Sequence, residues 1–584
     1  MNNNRLIYIA VSAALGIAAC GTGSIAPSRT DAGTTPVETS APISIEEELR
    51  RHANEERKKL ETERQVSAQP AAREALALGA AHGFQKNLAA IRAPSERVDR
   101  ENYAHFDDNA VKRVAEQPVS TFSIDVDTGA YSNVRRMLNA GRIPTQDAVR
   151  VEELINYFDY DYPAPADRDA PFSITTELGP NPWKAGTYLL HVGLKGFEVP
   201  KSQIPASNLV FLVDVSGSMN SPDKLELLKT SLKMLTKSMR AQDRISIVVY
   251  AGASGVVLEP VPGNDAVKIG AALDSLSAGG STNGGAGIRL AYAMAEQAFI
   301  KGGINRVLLA TDGDFNVGTT NFEALKDLVE EKRKTGISLT TLGFGSGNYN
   351  DHLMEQLADA GNGNYAYIDN LNEARKVLVD QMSSTLQTIA KDVKIQIEFN
   401  PQYVAEYRLV GYENRTLARE DFNNDNIDAG EIGAGHTVTA IYEIVLAGSN
   451  AQRVENLRYQ PTNERAPNRN GELAFLRLRY KAPDADTSKL IQQPIPAAEL
   501  NDDLKKTTER FRFAAAVAGF GQVLRGGKYV EQFGYDHVLA LARDAKGKDP
   551  FGYRGEFVQL VGLAQTLSSS AKQSAATEEE LVRR

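Results

Sequence analysis

The 584-residue chain has one cysteine, one tryptophan and seven histidines. A single thiol, Cys20, excludes a disulfide framework, a cysteine-based zinc cluster and a CxxC redox pair, because each needs at least two. The histidines are scattered and none pairs at metal spacing, so each reads as a surface residue or a satisfied one. No GxSxG, HExxH or P-loop is present; Gly521 to Lys528 misses the last, since Gly527-Lys528-Tyr529 lacks Lys-Ser/Thr in register. With neither a P-loop nor an activated nucleophile, no nucleotide partner is expected, and the reading is of a protein that is not an enzyme. The formal charge is −9 with no basic cluster, which argues against a nucleic-acid partner. After Ala19 no apolar run reaches the roughly 20 residues that a membrane-spanning helix takes.

What is present begins at the amino end. Met1 to Arg5 carries one positive charge, and Leu6 to Ala19 is a short, mostly apolar run, the pattern of a secretory signal over 1–19. Ile17-Ala18-Ala19-Cys20 resembles the lipobox of bacterial lipoproteins, which implies that the Cys20 thiol takes a lipid and becomes the first residue. Gly21 in place of aspartate implies outer-membrane sorting in a Gram-negative cell. The expected location is therefore the cell envelope, probed from either the periplasmic or the outer surface. Residues 20–100 read as a stalk: Gly, Ser, Thr, Pro and Ala to about Pro42, then the charged stretch Glu46 to Arg64.

The length allows about three or four domains. Residues 101–206 read as an α+β flanking domain, with a strand at Phe122, Ile124 and Val126, a helix capped at Asp127-Thr128, and strands near Phe172 to Leu178 and Thr187 to Lys195. Over 207–390 the pattern changes to continuous apolar runs, at Leu209 to Val213, Ile245 to Tyr250, Val307 to Ala310 and Leu339 to Phe344. These runs are separated by helix-period stretches, the signature of a doubly wound parallel sheet. Two-residue alternation returns over 391–496, a β-sandwich-like region, and 497–584 reads as helical. The expected architecture is multidomain α/β, with the doubly wound domain inserted into a discontinuous β domain.

Ligands of open α/β sheets gather beyond the carboxyl ends of the strands. There the sequence places Asp214-Val-Ser216-Gly-Ser218, then the glycine-rich loop around Thr282, then Thr311-Asp312. Oxygen donors without thiolate or imidazole suit magnesium, manganese or calcium. DxSxS with a downstream threonine and aspartate resembles the metal-ion-dependent adhesion site (MIDAS) of von Willebrand factor A (VWA) domains. That resemblance implies that Ser216, Ser218 and Thr282 are hydroxyl ligands, with Asp214 and Asp312 completing the site. Ser281 is the alternative to Thr282. It further implies a divalent cation, magnesium first, whose coordination is completed by an acidic side chain of a protein partner. Pro118 to Thr128, the strand around Trp183, and Phe513 to Gly521 are similar to the flanking regions of bacterial YfbK-type lipoproteins.

The expected function is a lipid-anchored envelope protein that binds a protein partner through the metal. A scaffold or chaperone-like subunit is the alternative, and a metal-assisted hydrolase ranks below it. Asp421, Asn423, Asp425 and Asp428 have partial calcium-loop spacing, but Asn426 and Ile432 stand where glycine and glutamate belong, so a polar turn is preferred. Asp125 and Asp127 are read as a helix cap rather than as ligands.

Overall fold

The computed structural model describes residues 101–165, 170–280, 284–313, 322–455 and 471–583. Cys20, the signal and the stalk therefore lie outside the described residues, as do Ser281 and Thr282.

The central domain is a six-stranded sheet of β1 (Ser207–Asp214), β2 (Arg244–Tyr250), β3 (Ser254–Pro262), β4 (Ile304–Thr311), β5 (Ser338–Phe344) and β6 (Tyr365–Ile368). The order is β6-β5-β4-β1-β2-β3, parallel throughout except for β3, an antiparallel edge. The apolar run of β1 has to be continuous because both faces are covered. Leu209, Phe211 and Val213 enter one core while Val210 and Leu212 enter the other. Each such side chain contributes about 1.5–3 kcal/mol on burial. The first core is closed by Leu228, Leu232, Ile269 and Leu378, the second by Ile288, Tyr292, Val329 and Leu357. Helices therefore cover both faces, as a doubly wound sheet requires. β6 is only four residues long and β3 is a partly exposed edge without a continuous apolar run, which is why the sequence pattern shows only the four inner strands.

The insertion is visible in the strand pairing. Tyr188–Gly196, just before the central domain, pairs antiparallel with Thr437–Leu446, well after it, with His191 opposite Ile441. Phe172–Pro180 and Val404–Val410 flank that pair in the same sheet. Thr388–Phe399 anchors the facing sheet, between Val119–Ser123 and Glu472–Lys481, with Ser488–Pro496 at the edge. Alternate residues Leu190, Val192, Tyr442, Ile395, Ile397 and Leu476 fill the space between the two sheets. The strand at Phe122 runs Val119–Ser123 and ends before Ile124 and Val126, and Trp183 lies in the turn after Phe172–Pro180 rather than in a strand. Trp183 is nonetheless buried, and its indole N–H donates to Glu443 Oε1 at 2.5 Å.

A helical layer covers the outer face of the first sheet. Glu509–Leu524 is apolar on all sides because Gly129–Asn139, Val151–Asn156, Tyr535–Asp544 and the sheet residues Leu189 and Ile441 surround it. Tyr553–Arg583 closes the layer. None of the described helices is long and apolar enough to cross a membrane.

Buried ion pairs join the layers. Arg415, from the β domain, donates to Asp125 Oδ2 at 3.2 Å, Glu355 Oε1 at 3.1 Å and Asp359 Oδ2 at 2.7 Å. Arg150 meets Glu153 and Asp351, with Glu355 at 3.5 Å. Arg135 meets Asp369, Glu373 at 2.8 Å and Glu556 at 3.0 Å. This corrects the helix-cap reading of Asp125 and Asp127. The Thr128 cap of Gly129–Asn139 carries no side-chain hydrogen bond. Asp127 instead accepts from the Tyr365 N–H at 2.8 Å, at the start of β6. Glu153 serves the helix amide of Ala130. Asp127 thus holds the central domain and Asp125 the Arg415 guanidinium, rather than the helix they precede.

Candidate metal centre

Asp214 is the last residue of β1 and is fully buried. Its Oδ1 accepts the Ser216 N–H at 2.9 Å, and its Oδ2 accepts from the Thr311 hydroxyl at 2.9 Å and the Tyr250 hydroxyl at 3.2 Å. The chain then leaves the sheet through the short turn Gly217–Met219, whose anchor Met219 is fully buried. That turn brings Ser216 Oγ to 3.0 Å from Ser218 Oγ. Ser216 is buried and Ser218 exposed, so the pair spans the boundary between the sheet end and solvent.

The glycine-rich loop is tied to this turn by its backbone. Gly279 N donates to Val215 O at 2.8 Å, and Gly217 N donates to Gly280 O at 3.0 Å. Gly280 holds φ +84°, a conformation that favours glycine. The described part of the loop thus ends against Gly217, one residue before the segment that carries Thr282.

Asp312 follows β4 and is fully buried. Its Oδ2 receives the Lys224 ammonium at 2.9 Å, and Lys224 also donates to Asn348 Oδ1 at 3.0 Å. Gly313, at φ +86°, lets the chain turn where a Cβ would strike the backbone of Asn350. The structure therefore brings Asp214, Ser216, Ser218 and Asp312 to the carboxyl end of the sheet, as their sequence positions predict. Lys224, Tyr250 and Thr311 were not foreseen. Thr311 adjoins Asp312 in sequence and could have been read as its strand-end neighbour, but no sequence pattern marks Lys224.

The electrostatics favour a cation. Burial pushes the Asp214 carboxyl up to about 6, and the neighbouring Asp312 charge adds to that, against the lowering by Ser216 and Thr311. Asp214 is met by neutral donors, with no ammonium or guanidinium within ion-pair distance among the described residues. The side-chain ligand atoms offered by Asp214, Ser216, Ser218 and Asp312 are all oxygens, which fits a hard divalent cation and not a soft one. The residues thus fit a metal: Asp214, Ser216, Ser218 and Asp312 would hold it.

Two other acidic groupings are met by basic side chains, with Glu431 Oε1 alone lacking a hydrogen-bond partner among the described residues. Asp125, Glu153 and Glu355 come within 4.8 Å of one another, but Arg150 and Arg415 occupy their oxygens. Asp392, Asp428 and Glu431 form the other grouping, where Lys481 meets Asp392 and Arg333 meets Asp428 at 2.6 Å. Asp425, from the partial calcium loop, accepts from Arg479 at 3.0 Å and from Ser488, the arrangement of a braced polar turn.

The class of protein follows from this sheet and this strand-end loop. The family model for the von Willebrand factor type A domain matches residues 208–381, a second von Willebrand factor model matches 97–191, and a model for the C-terminal region of YfbK matches 384–567. The domain points to a protein-interaction or adhesion-type role, and VWA domains often bind a divalent metal. The chain is 50% identical over 469 residues to an Escherichia coli K12 protein described as uncharacterized protein YfbK, covering 79% of this chain and 80% of that one. The chain belongs to the YfbK family of VWA-domain proteins. Human inter-alpha-trypsin inhibitor heavy chain H4 is 27% identical over 206 residues, and the match covers 33% of this chain and only 21% of that protein. Among solved structures, a von Willebrand factor type A protein from Catenulispora acidiphila covers 67% of this chain and 89% of its own at 15% identity, with a TM-score of 0.37. The ArnB paralog VWA2 from Sulfolobus acidocaldarius covers 68% and 98% at 14% identity, with a TM-score of 0.33.

Proposed function

We propose that this chain is a lipid-anchored cell-envelope protein that binds a protein partner through a divalent cation held by Asp214, Ser216, Ser218, Thr282 and Asp312. The observation that carries the reading is the buried Asp214 carboxylate, surrounded by neutral oxygen and nitrogen donors beside a second carboxylate and an exposed serine. A divalent ion supplies positive charge and, through Ser218 at the surface, a coordination position that an acidic side chain of the partner can complete. Magnesium is the first choice, with manganese and calcium as alternatives. The Cys20 lipid would hold the protein at the outer membrane, with 20–100 as reach.

Binding is favoured over catalysis by the surroundings of the serines. Ser216 Oγ meets Ser218 Oγ, and neither is hydrogen-bonded to an imidazole among the described residues. The test is crosslinking and mass spectrometry on intact cells in magnesium, comparing wild type with Asp214→Ala. The expected result is a partner captured by wild type and lost both in the variant and in chelator. Equal capture by Asp214→Ala in chelator overturns the reading.

A further inference from the structure

The loop 345–350 leaves β5 at the same end of the sheet as the metal centre, and it meets Lys224 at two points. Asn348 Oδ1 receives the Lys224 ammonium at 3.0 Å. The stem of Lys224 crosses Gly345, where a Cβ would come to 2.3 Å from the lysine Cγ and Cε. A lysine stem is flexible, so it is these two contacts that keep the ammonium on Asp312 Oδ2, 2.9 Å away.

The loop is held in turn by Glu101 and Asn102, which directly follow the predicted stalk 20–100. Glu101 Oε1 accepts the Gly347 N–H at 2.9 Å. The Asn102 N–H donates to Tyr349 O at 2.9 Å, and Asn102 pairs with Asn350 as a short parallel bridge. The Glu101 side chain is only 2% exposed. Its Oε2 accepts from Arg136 at 2.8 Å and from the Tyr103 hydroxyl at 2.8 Å. Arg136 also donates to Asn133 Oδ1 at 2.6 Å and stands over Tyr367, 5.6 Å from the ring centroid. A buried, charge-assisted hydrogen bond to a loop amide is a firm support, unlike an ion pair in open solvent.

Glu101, the loop, Lys224 and Asp312 therefore form an unbroken series of contacts. At its far end an ammonium and an incoming cation compete for one carboxylate, so whatever holds Lys224 in place weakens the hold on the ion. We propose, on the basis of the metal reading, that Glu101 is a positioning residue of that centre. It fixes 345–350, the loop keeps the Lys224 ammonium on Asp312, and the affinity of the site for a divalent cation is set lower than the oxygen ligands alone would make it. The residue that follows the predicted stalk thereby gains a hold on the metal site without touching it.

The test is manganese titration of the full chain, followed by electron paramagnetic resonance, for wild type, Asp214→Ala, Glu101→Ala and Asn348→Ala, with the last two repeated in a Lys224→Met background. Glu101→Ala and Asn348→Ala are each expected to raise the affinity about threefold, within the range of substitutions that act through a chain of contacts. Neither should change it once Lys224 is replaced, because the effect passes through that ammonium. A merely structural role for Glu101 would move the affinity equally in both backgrounds. Without metal, hydrogen exchange at the Gly347 amide should quicken in Glu101→Ala. No manganese binding by the wild type overturns the metal reading and this proposal together. Wild-type binding that is lost in Asp214→Ala, yet unmoved or lowered in either Glu101→Ala or Asn348→Ala, or shifted equally in the Lys224→Met background, overturns this proposal alone.

Discussion

The metal end of the central sheet and the ionic junction around Arg415 are built from the same buried carboxylates, yet they treat charge in opposite ways. At the junction, Asp125, Glu355 and Asp359 converge on one guanidinium, and Glu153 and Asp351 on another. At the sheet end, Asp214 receives an amide and two hydroxyls, and only its neighbour Asp312 has an ammonium beside it. Asp125, Glu153 and Glu355 are nearly as buried as Asp214 and Asp312, with Asp359 half-exposed, so burial is not what separates structure from function. The difference is the counter-charge: the junction brings its own, whereas the sheet end keeps negative charge that an outside cation can meet.

Breaking the junction is expected to have the largest effect. Arg415→Met leaves Asp125 and Glu355 buried without their guanidinium, beside the half-exposed Asp359, which should cost about 3–5 kcal/mol. Urea unfolding reads this directly, and a loss below about 1 kcal/mol would mean that the junction is not the lock that its geometry describes.

A smaller effect is expected where the sheet end carries its own cation. Lys224→Met removes from Asp312 Oδ2 an ammonium that would repel an incoming cation, and manganese affinity, followed by electron paramagnetic resonance, should rise about tenfold, or ~1.4 kcal/mol. A fall in affinity would instead make Lys224 the residue that positions Asp312.

The smallest effect is a pH slope. Burial raises Glu152 to about 8, above the ordinary glutamate value of 4.5. A raised folded value means that folding favours the protonated form. The corresponding stability is complete below the ordinary value and is lost as pH rises to about 8. Stability should therefore decline between pH 6 and 9 by on the order of 1 kcal/mol, and Glu152→Gln should flatten that decline. A stability that rises over this window would contradict the assignment.

The same contrast explains what could be read from the sequence. Asp214, Ser216 and Ser218 are two residues apart on one strand end, and the apolar run before them fixes where that end lies, so local pattern sufficed. The inner strands were legible for the same reason, because both of their faces are buried. The junction is not local. Arg415 lies 290 residues from Asp125 and Arg150 lies 201 from Asp351, so Asp125 and Asp127 could be read only against their own neighbours, as a cap. Lys224 reaches Asp312 across 88 residues and was missed for that reason.

The most direct test of the central claim is an equilibrium manganese titration of the full chain beside Asp214→Ala, with the melting temperature of both recorded without metal. The account predicts binding by the wild type that is lost in the variant, with melting little changed, because Asp214 sits at the sheet end rather than in the junction. Equal binding by Asp214→Ala would show that the carboxyl end of this sheet is not where the cation is held.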